Sequence, residues 1–176
     1  MSTGDHLQAE LASSRRNLLA ELEGFDDARF SQVPPRGGWS AALLVEHLAL
    51  VETAVQRGAR KAMAEGTLAK PTWLDALKQL ALYRSGFANL VRVRTPSRVE
   101  PGAALPRAEA LARLTAVREE TNAVLDDLRG RDVSQLYMRH PFFGAMSIQA
   151  MLGWVVWHEE RHRRQVVRLR RALGMS

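Results

Sequence analysis

The sequence predicts an all-α fold: a four-helix bundle with a long crossover between its second and third long helices. Three observations predict it. Four stretches of roughly twenty residues carry apolar side chains at the 3.6-residue period. Glycines and prolines punctuate the chain between them, at Gly24, Pro34-Pro35, Gly66 and Gly130. No pair of alternating segments reads as a sheet, and a strand without a partner is not stable. The 176 residues are expected to form one domain, 1–176, long enough to bury a core.

The first helix runs from about Asp5 to Glu23, with Leu7, Leu11, Leu18, Leu19 and Leu22 on one side and Gly24 as its stop. Asp26 to Gly38 reads as a loop. The second helix starts at Ser40, a good N-cap with Trp39 just before it, and carries Leu44, His47, Leu48, Val51 and Val55 at helical spacing toward Gly66. From Gly66 to Pro106 the pattern is less regular. Trp73 to Phe87 reads as partly helical and Val91 to Pro101 as an extended linker. This join of about forty residues, against short loops elsewhere, is the crossover. The third helix spans about Arg107 to Arg129, with Leu111, Leu114, Val117, Thr121, Val124, Leu125 and Leu128 inward and Gly130 following. The last begins after Ser147 and runs to about Leu173. Its inner stripe holds Met151, Trp154, Val155, His158, His162, Gln165, Val166 and Leu169. That stripe is apolar except at the two histidines and Gln165.

Composition excludes several classes. There is no cysteine, which removes disulfides, thiolate nucleophiles and Cys-based metal sites. No stretch approaches the roughly 18 apolar residues of a membrane span. Met1 to His6 lacks the basic and apolar regions of a signal peptide, so a cytoplasmic location and no membrane partner are expected. The formal charge is +6, with 22 arginines against 3 lysines. Arg161, Arg163, Arg164, Arg168, Arg170 and Arg171 crowd the last helix. They read as a solvated face whose cations complement the helix dipole. A nucleic-acid partner is not expected, because no helix-turn-helix, zinc-finger spacing or aromatic platform accompanies them.

The chemistry lies in His158-Glu159-Glu160-Arg161-His162, read together with the lone His47. His158 and His162 are four apart, so they stack one turn apart on the same helix face. Two such imidazoles can grip one divalent metal, and a third from another helix completes an open site. The donor set suits zinc, nickel, copper or iron. The same string fits H-E-x-x-H, in which the glutamate is the base of zinc proteases. That reading is set aside, because nothing after His162 is His, Asp or Glu. Glu159 is also one residue off the histidine face, and is expected to point to solvent or to a neighbouring helix. Arg161 is expected to pair with a carboxylate on a neighbouring helix, Glu46 or Glu52 being the candidates, rather than to touch substrate. Gln165 either orients a ligand from behind or ties helix to helix. His140, before Pro141, reads first as a turn residue, with a proton-shuttle or substrate-contact role as the alternative. Trp154 is expected in the core.

The segment His140 to Gln165, with its Gly-containing turn, helix and His-Glu-Glu-Arg-His followed by Gln, resembles the last helix of the DinB/YfiT-like family. Gly38-Trp39-Ser40 through Glu46-His47-Leu48 resembles that family's second helix. Element order and chain length fit as well, so the resemblance covers nearly the whole chain. It implies a four-helix bundle with a long second-to-third crossover. It also implies a divalent-metal site, often nickel or zinc, with His47, His158 and His162 as ligands. Characterised relatives include transferases using a low-molecular-weight thiol and a thiol-requiring isomerase. The expected function is therefore a metal-dependent hydrolase or thiol S-transferase acting on a small molecule, by default as a homodimer. Arg92, Arg94 and Arg98 are candidates to meet a diffusible thiol's carboxylates. The alternative is a non-catalytic binding or stress-response protein in which the metal is structural or absent.

Overall fold

The computed structural model describes residues 3–80 and 95–175. Four long helices dominate: α1 (Thr3–Glu23), α3 (Ala41–Glu65), α5 (Arg107–Asp127) and α6 (Ile148–Ala172). Two short helices, α2 (Asp27–Ser31) and α4 (Trp73–Lys78), sit in the connections. The chain also makes a two-stranded antiparallel hairpin of β1 (Tyr137–His140) and β2 (Gly144–Ser147), with Tyr137 opposite Ser147 and His140 opposite Gly144. No helix among the described residues is long and apolar enough to cross a membrane.

Local chemistry sets the boundaries. The Ser40 hydroxyl accepts from Leu43 N–H at 3.4 Å and opens α3; the Ser147 hydroxyl accepts from Ala150 N–H at 3.2 Å and opens α6. Gly66 closes α3 at φ +89°, a conformation that side chains with a Cβ rarely adopt.

Ion pairs and hydrogen bonds give the helix directions. Between α3 and α5, Glu46 meets Arg113, Glu52 meets Arg118, and Arg60 meets Glu120, so these helices run parallel. Between α1 and α6, Ser14 meets Glu159 and Glu21 meets Arg163, so these too are parallel. Across α1 and α5 the order reverses: Arg15 reaches the Leu114 carbonyl and Arg118 that of Leu11. Parallel neighbours cannot be joined by a tight turn. A helix of 25 residues is roughly 37 Å long, and the chain must return that distance before starting α5. This is the physical reason for the crossover.

The core divides into two apolar clusters. One gathers Leu7, Leu11, Val55, Val124, Ile148 and Leu152; the other gathers Leu18, Leu22, Phe30, Leu44, Leu114 and Val166. Each buried aliphatic side chain contributes about 1.5–3 kcal/mol. Between the clusters lies a polar layer with one charged residue from each long helix: Arg15, Glu52, Arg118 and Glu159. Arg15 donates from Nε to Glu159 at 2.6 Å and from Nη2 to Glu52 at 2.7 Å. Arg118 donates from Nε to Glu52 at 2.6 Å and from Nη2 to Glu159 at 3.2 Å. Thr121 adds a hydroxyl to Glu52 at 2.6 Å, and Ser14 adds one to Glu159. Burial alone would push the Glu52 carboxyl up; Arg118, Arg15 and Thr121 outweigh it and hold it below the usual carboxylate range.

Three expectations are corrected here. The hairpin was not expected from the pattern. Its strands are four residues each, and Met138 and Met146 bury themselves in the core, which stabilises what an isolated hairpin could not. The loop at Asp26 to Gly38 contains α2, capped by Asp26 accepting from Arg29 N–H at 2.7 Å. The linker at Val91 to Pro101 contains a 3₁₀ turn at Ser97–Val99; its residues 91–94, and 81–87 of the expected helix, lie outside the described residues.

Removing one partner strands the other charges of the polar layer. Arg118→Met is expected to destabilise the fold by about 3–5 kcal/mol in urea denaturation. Glu120→Gln, which breaks the exposed Arg60 pair, is expected to change it by less than about 1 kcal/mol. Similar losses for both would contradict the assignment.

Candidate metal centre

Helices α3 and α6 run antiparallel beside each other, which brings the second turn of α3 to the middle of α6. His47 comes from α3; His158 and His162, one turn apart, come from α6. All three are buried, at 4%, 8% and 7% exposure. One ring nitrogen from each lies within 4.8 Å of those of the other two. The Nε2 atoms of His158 and His162 are 3.2 Å apart. The His47 ring centroid lies 5.2 Å from that of His158 and 4.9 Å from that of His162.

Two of the rings have a fixed tautomer. His47 donates from Nδ1 to the Val99 carbonyl at 2.8 Å; a carbonyl only accepts, so Nε2 keeps its lone pair. His162 donates from Nδ1 to Gln165 Oε1 at 3.1 Å, which again leaves Nε2 as the acceptor. His158 presents its Nε2 to that of His162, and two lone pairs at this distance require a proton or a cation between them.

Electrostatics keep the rings neutral. Burial pushes His158 well below its ordinary value, and its neighbours His162, His47, His140 and Arg161 push it further. His162 is pushed down to about 3, first by burial and then by His47. Burial also lowers His47, against the pull of the Val99 hydrogen bond. Neutral imidazole is the ligating form, so no proton must leave before a cation enters. With metal–nitrogen distances of about 2.0–2.1 Å, tetrahedral geometry puts two ligand nitrogens roughly 3.3–3.4 Å apart. The 3.2 Å separation of His158 and His162 fits that edge.

A cavity of about 470 Å³ opens on the cluster. Its walls are mainly apolar, with Val51, Val55, Met151, Phe143, Trp154 and Trp157 contributing. Arg98, Arg139 and Arg161 also line it, and no Asp or Glu does among the described residues. Trp154 is buried as expected, its ring 4.6 Å from that of His158.

His140 is a wall of this cavity, outside the cluster of three. It closes β1, and its Nδ1 accepts from the Phe142 and Phe143 amides at 3.1 and 3.2 Å. Burial pushes its pKa down to about 4. The neutral ring therefore carries its hydrogen on Nε2 and holds the hairpin turn with Nδ1.

Of the two directions expected for Glu159, solvent or a neighbouring helix, the structure has the second: it is 1% exposed and bound by Ser14, Arg15 and Arg118 of α1 and α5. It points into the polar layer, which disposes of the protease-like role for this glutamate. Arg161 does not pair with Glu46 or Glu52, which engage Arg113 and the Arg15–Arg118 pair respectively. Its guanidinium instead lies 5.9 Å from the Trp157 ring centroid. The arginine-rich end of α6 is partly paired, Arg163 with Glu21 and Glu160, and Arg164 with Glu160. Arg92 and Arg94 lie outside the described residues.

The sequence profile of the DinB superfamily matches residues 10–166. The chain belongs to the DinB superfamily. It is 23% identical over 154 residues to the uncharacterized protein YuaE of Bacillus subtilis, covering 87% of this chain and 90% of that one. Its fold is similar to that of YfiT from Bacillus subtilis, described as a probable metal-dependent hydrolase with an unusual four-helix bundle topology. The TM-score is 0.65 at 22% identity, over 98% of this chain and 89% of the other. TT2238, a four-helix bundle protein, aligns with a TM-score of 0.61 at 24% identity, over 94% and 98% of the two chains.

The buried histidines give metal-free protein a defined acid response. Unfolding returns each ring toward its ordinary pKa of about 6.5, so below that pH the unfolded chain binds more protons than the folded one. Stability is then fully present above about pH 6.5 and falls as the pH drops toward 3. Each ring adds a slope of up to about 1.4 kcal/mol per pH unit. Urea melts in chelator between pH 7 and 4 measure this, and the double variant His158→Gln/His162→Gln is expected to flatten the profile. An equal slope in the variant would contradict the neutral cluster.

Proposed function

We propose that this chain is a metal-dependent enzyme acting on a small molecule, with His47, His158 and His162 holding one zinc or nickel ion. The observation that supports it most is the convergence of three neutral imidazoles on one point at the edge of an apolar cavity. Hydrolysis is the reaction we assign, in keeping with the description of YfiT, whose fold this chain shares. Held by His47, His158 and His162, a divalent ion would supply Lewis acidity to a substrate oxygen and would lower the pKa of a water or thiol.

The chain's own residues supply the setting. The Val99 carbonyl and Gln165 hold two rings with Nε2 inward. Trp154, Trp157 and Phe143 exclude water from the approach. His140 offers a neutral Nε2–H in the same wall. Glu159 ties α6 to α1 and α5 through Ser14, Arg15 and Arg118.

S-transfer from a diffusible low-molecular-weight thiol is the second reading. It is favoured by the lack of any carboxylate among the described cavity residues to accept a proton from water. A thiol, with a pKa of about 8.5, needs no such base once coordinated.

Metal analysis and turnover test the proposal together. The purified protein is expected to carry stoichiometric zinc or nickel, and His47→Ala and His158→Ala to lose it. Loaded protein is expected to hydrolyse members of an ester and amide panel, or to conjugate thiols to electrophiles, only until a chelator is added. A metal-free melting temperature within a few degrees of the loaded one separates a catalytic ion from a structural one. Stoichiometric metal with no metal-dependent turnover in either panel would leave the non-catalytic binder.

Gln165→Ala frees the His162 ring to turn. Metal affinity in a competition titration is expected to fall about 10–100-fold with the fold intact. An unchanged affinity would place Gln165 outside the site.

A further inference from the structure

We propose that the substrate of this cavity is an amphiphilic anion, an apolar body bearing a single carboxylate-type group, and that Arg161 is the residue that reads the charge. The inference rests on the cavity's assignment as the substrate site and deepens it.

Charge comes first. Arg98, Arg139 and Arg161 line the cavity, and no acidic residue does among the described residues. Any bound divalent ion adds further positive charge. A low-dielectric cleft of one sign concentrates the opposite ion. A cationic ligand meets no carboxylate among the described residues of the wall.

Shape limits where the negative charge can sit. Val51, Val55, Met151, Phe143 and Trp154 surround most of the 470 Å³. A sugar or a ligand charged along its length would lose its hydration there without replacement partners. The apolar walls therefore hold the body, and the charge belongs at one end.

Arg161 is the arginine placed to receive it. Arg98 and Arg139 are exposed, whereas Arg161 is half-buried. Its guanidinium lies over Trp157, 5.9 Å from the ring centroid, which limits its rotamers at the cavity wall, and a guanidinium stays charged at any physiological pH. It also stands three residues after His158 and one before His162 on α6. An anion held there keeps the rest of the ligand against the imidazole cluster.

Equilibrium titration of chelator-treated protein tests this without turnover or metal. The probes are phenylacetate, 4-phenylbutyrate and octanoate, each paired with its neutral amide, followed by calorimetry or by the fluorescence of Trp154 and Trp157. Wild type is expected to bind at least one carboxylate about 10–100-fold more tightly than its amide, the range of a charge-assisted hydrogen-bonded pair. Arg161→Gln is expected to reduce the carboxylate to the affinity of the amide while leaving amide binding unchanged. Arg161→Lys is expected to recover part of the preference, since it keeps the charge and loses the fork. No carboxylate preference in wild type, or an undiminished preference in Arg161→Gln, would overturn the proposal. Failure of the metal reading would appear separately, as absent metal in untreated protein, and would not alter this titration.

Discussion

Four buried charges, one from each long helix, set the register on which everything else in this protein depends. Arg15 and Arg118 have left water, and only the carboxylates of Glu52 and Glu159 compensate them. Attraction in the interior offsets such desolvation only when geometry and hydrogen bonding are nearly complete. Sliding α6 by one residue would swing Glu159 through about 100° and strand both arginines. The candidate metal centre is tied to this layer along the chain: His158 precedes Glu159 directly, and His47 lies five residues before Glu52. Holding the two glutamates in place aims the three imidazoles at one another.

Topology supplies the second constraint. Because α3 and α5 are parallel neighbours, the chain must travel back along the bundle between them. Near its end the 3₁₀ turn Ser97–Val99 lies against α3, where the Val99 carbonyl fixes the tautomer of His47. The hairpin before α6 works similarly, placing His140 against both Phe143 and Trp154 at the cavity wall. Gly144 sits at φ +72° in the hairpin, and a Cβ there would overlap the Asp75 carboxylate. The connections thus act as walls and props of the site, and not only as links.

The four long helices were legible because each repeats its apolar positions over five or more turns and is bounded by Ser, Gly or Pro. The histidine pair was legible for the same reason, as polar residues interrupting an apolar stripe. Arg15, Glu52, Arg118 and Glu159 interrupt such stripes too, at one helical turn from Leu11 and Leu18, from Leu48 and Val55, from Leu114 and Thr121, and from Val155. That signal was present, but which charge meets which depends on helix order and direction, and periodicity carries neither. The Val99 contact left no trace, because a backbone carbonyl is common to every residue. The hairpin and α2 were too short for a period to emerge.

The cluster of neutral imidazoles, two of them tautomer-fixed, beneath an apolar, arginine-lined cavity is the feature that the functional account rests on. X-ray absorption at the metal edge of zinc- or nickel-loaded protein tests it most directly. The account predicts three imidazole nitrogens in one shell at about 2.0–2.1 Å, with room left for a light exchangeable ligand. A spectrum requiring fewer than three imidazoles, or a closed shell of other protein ligands, would contradict it.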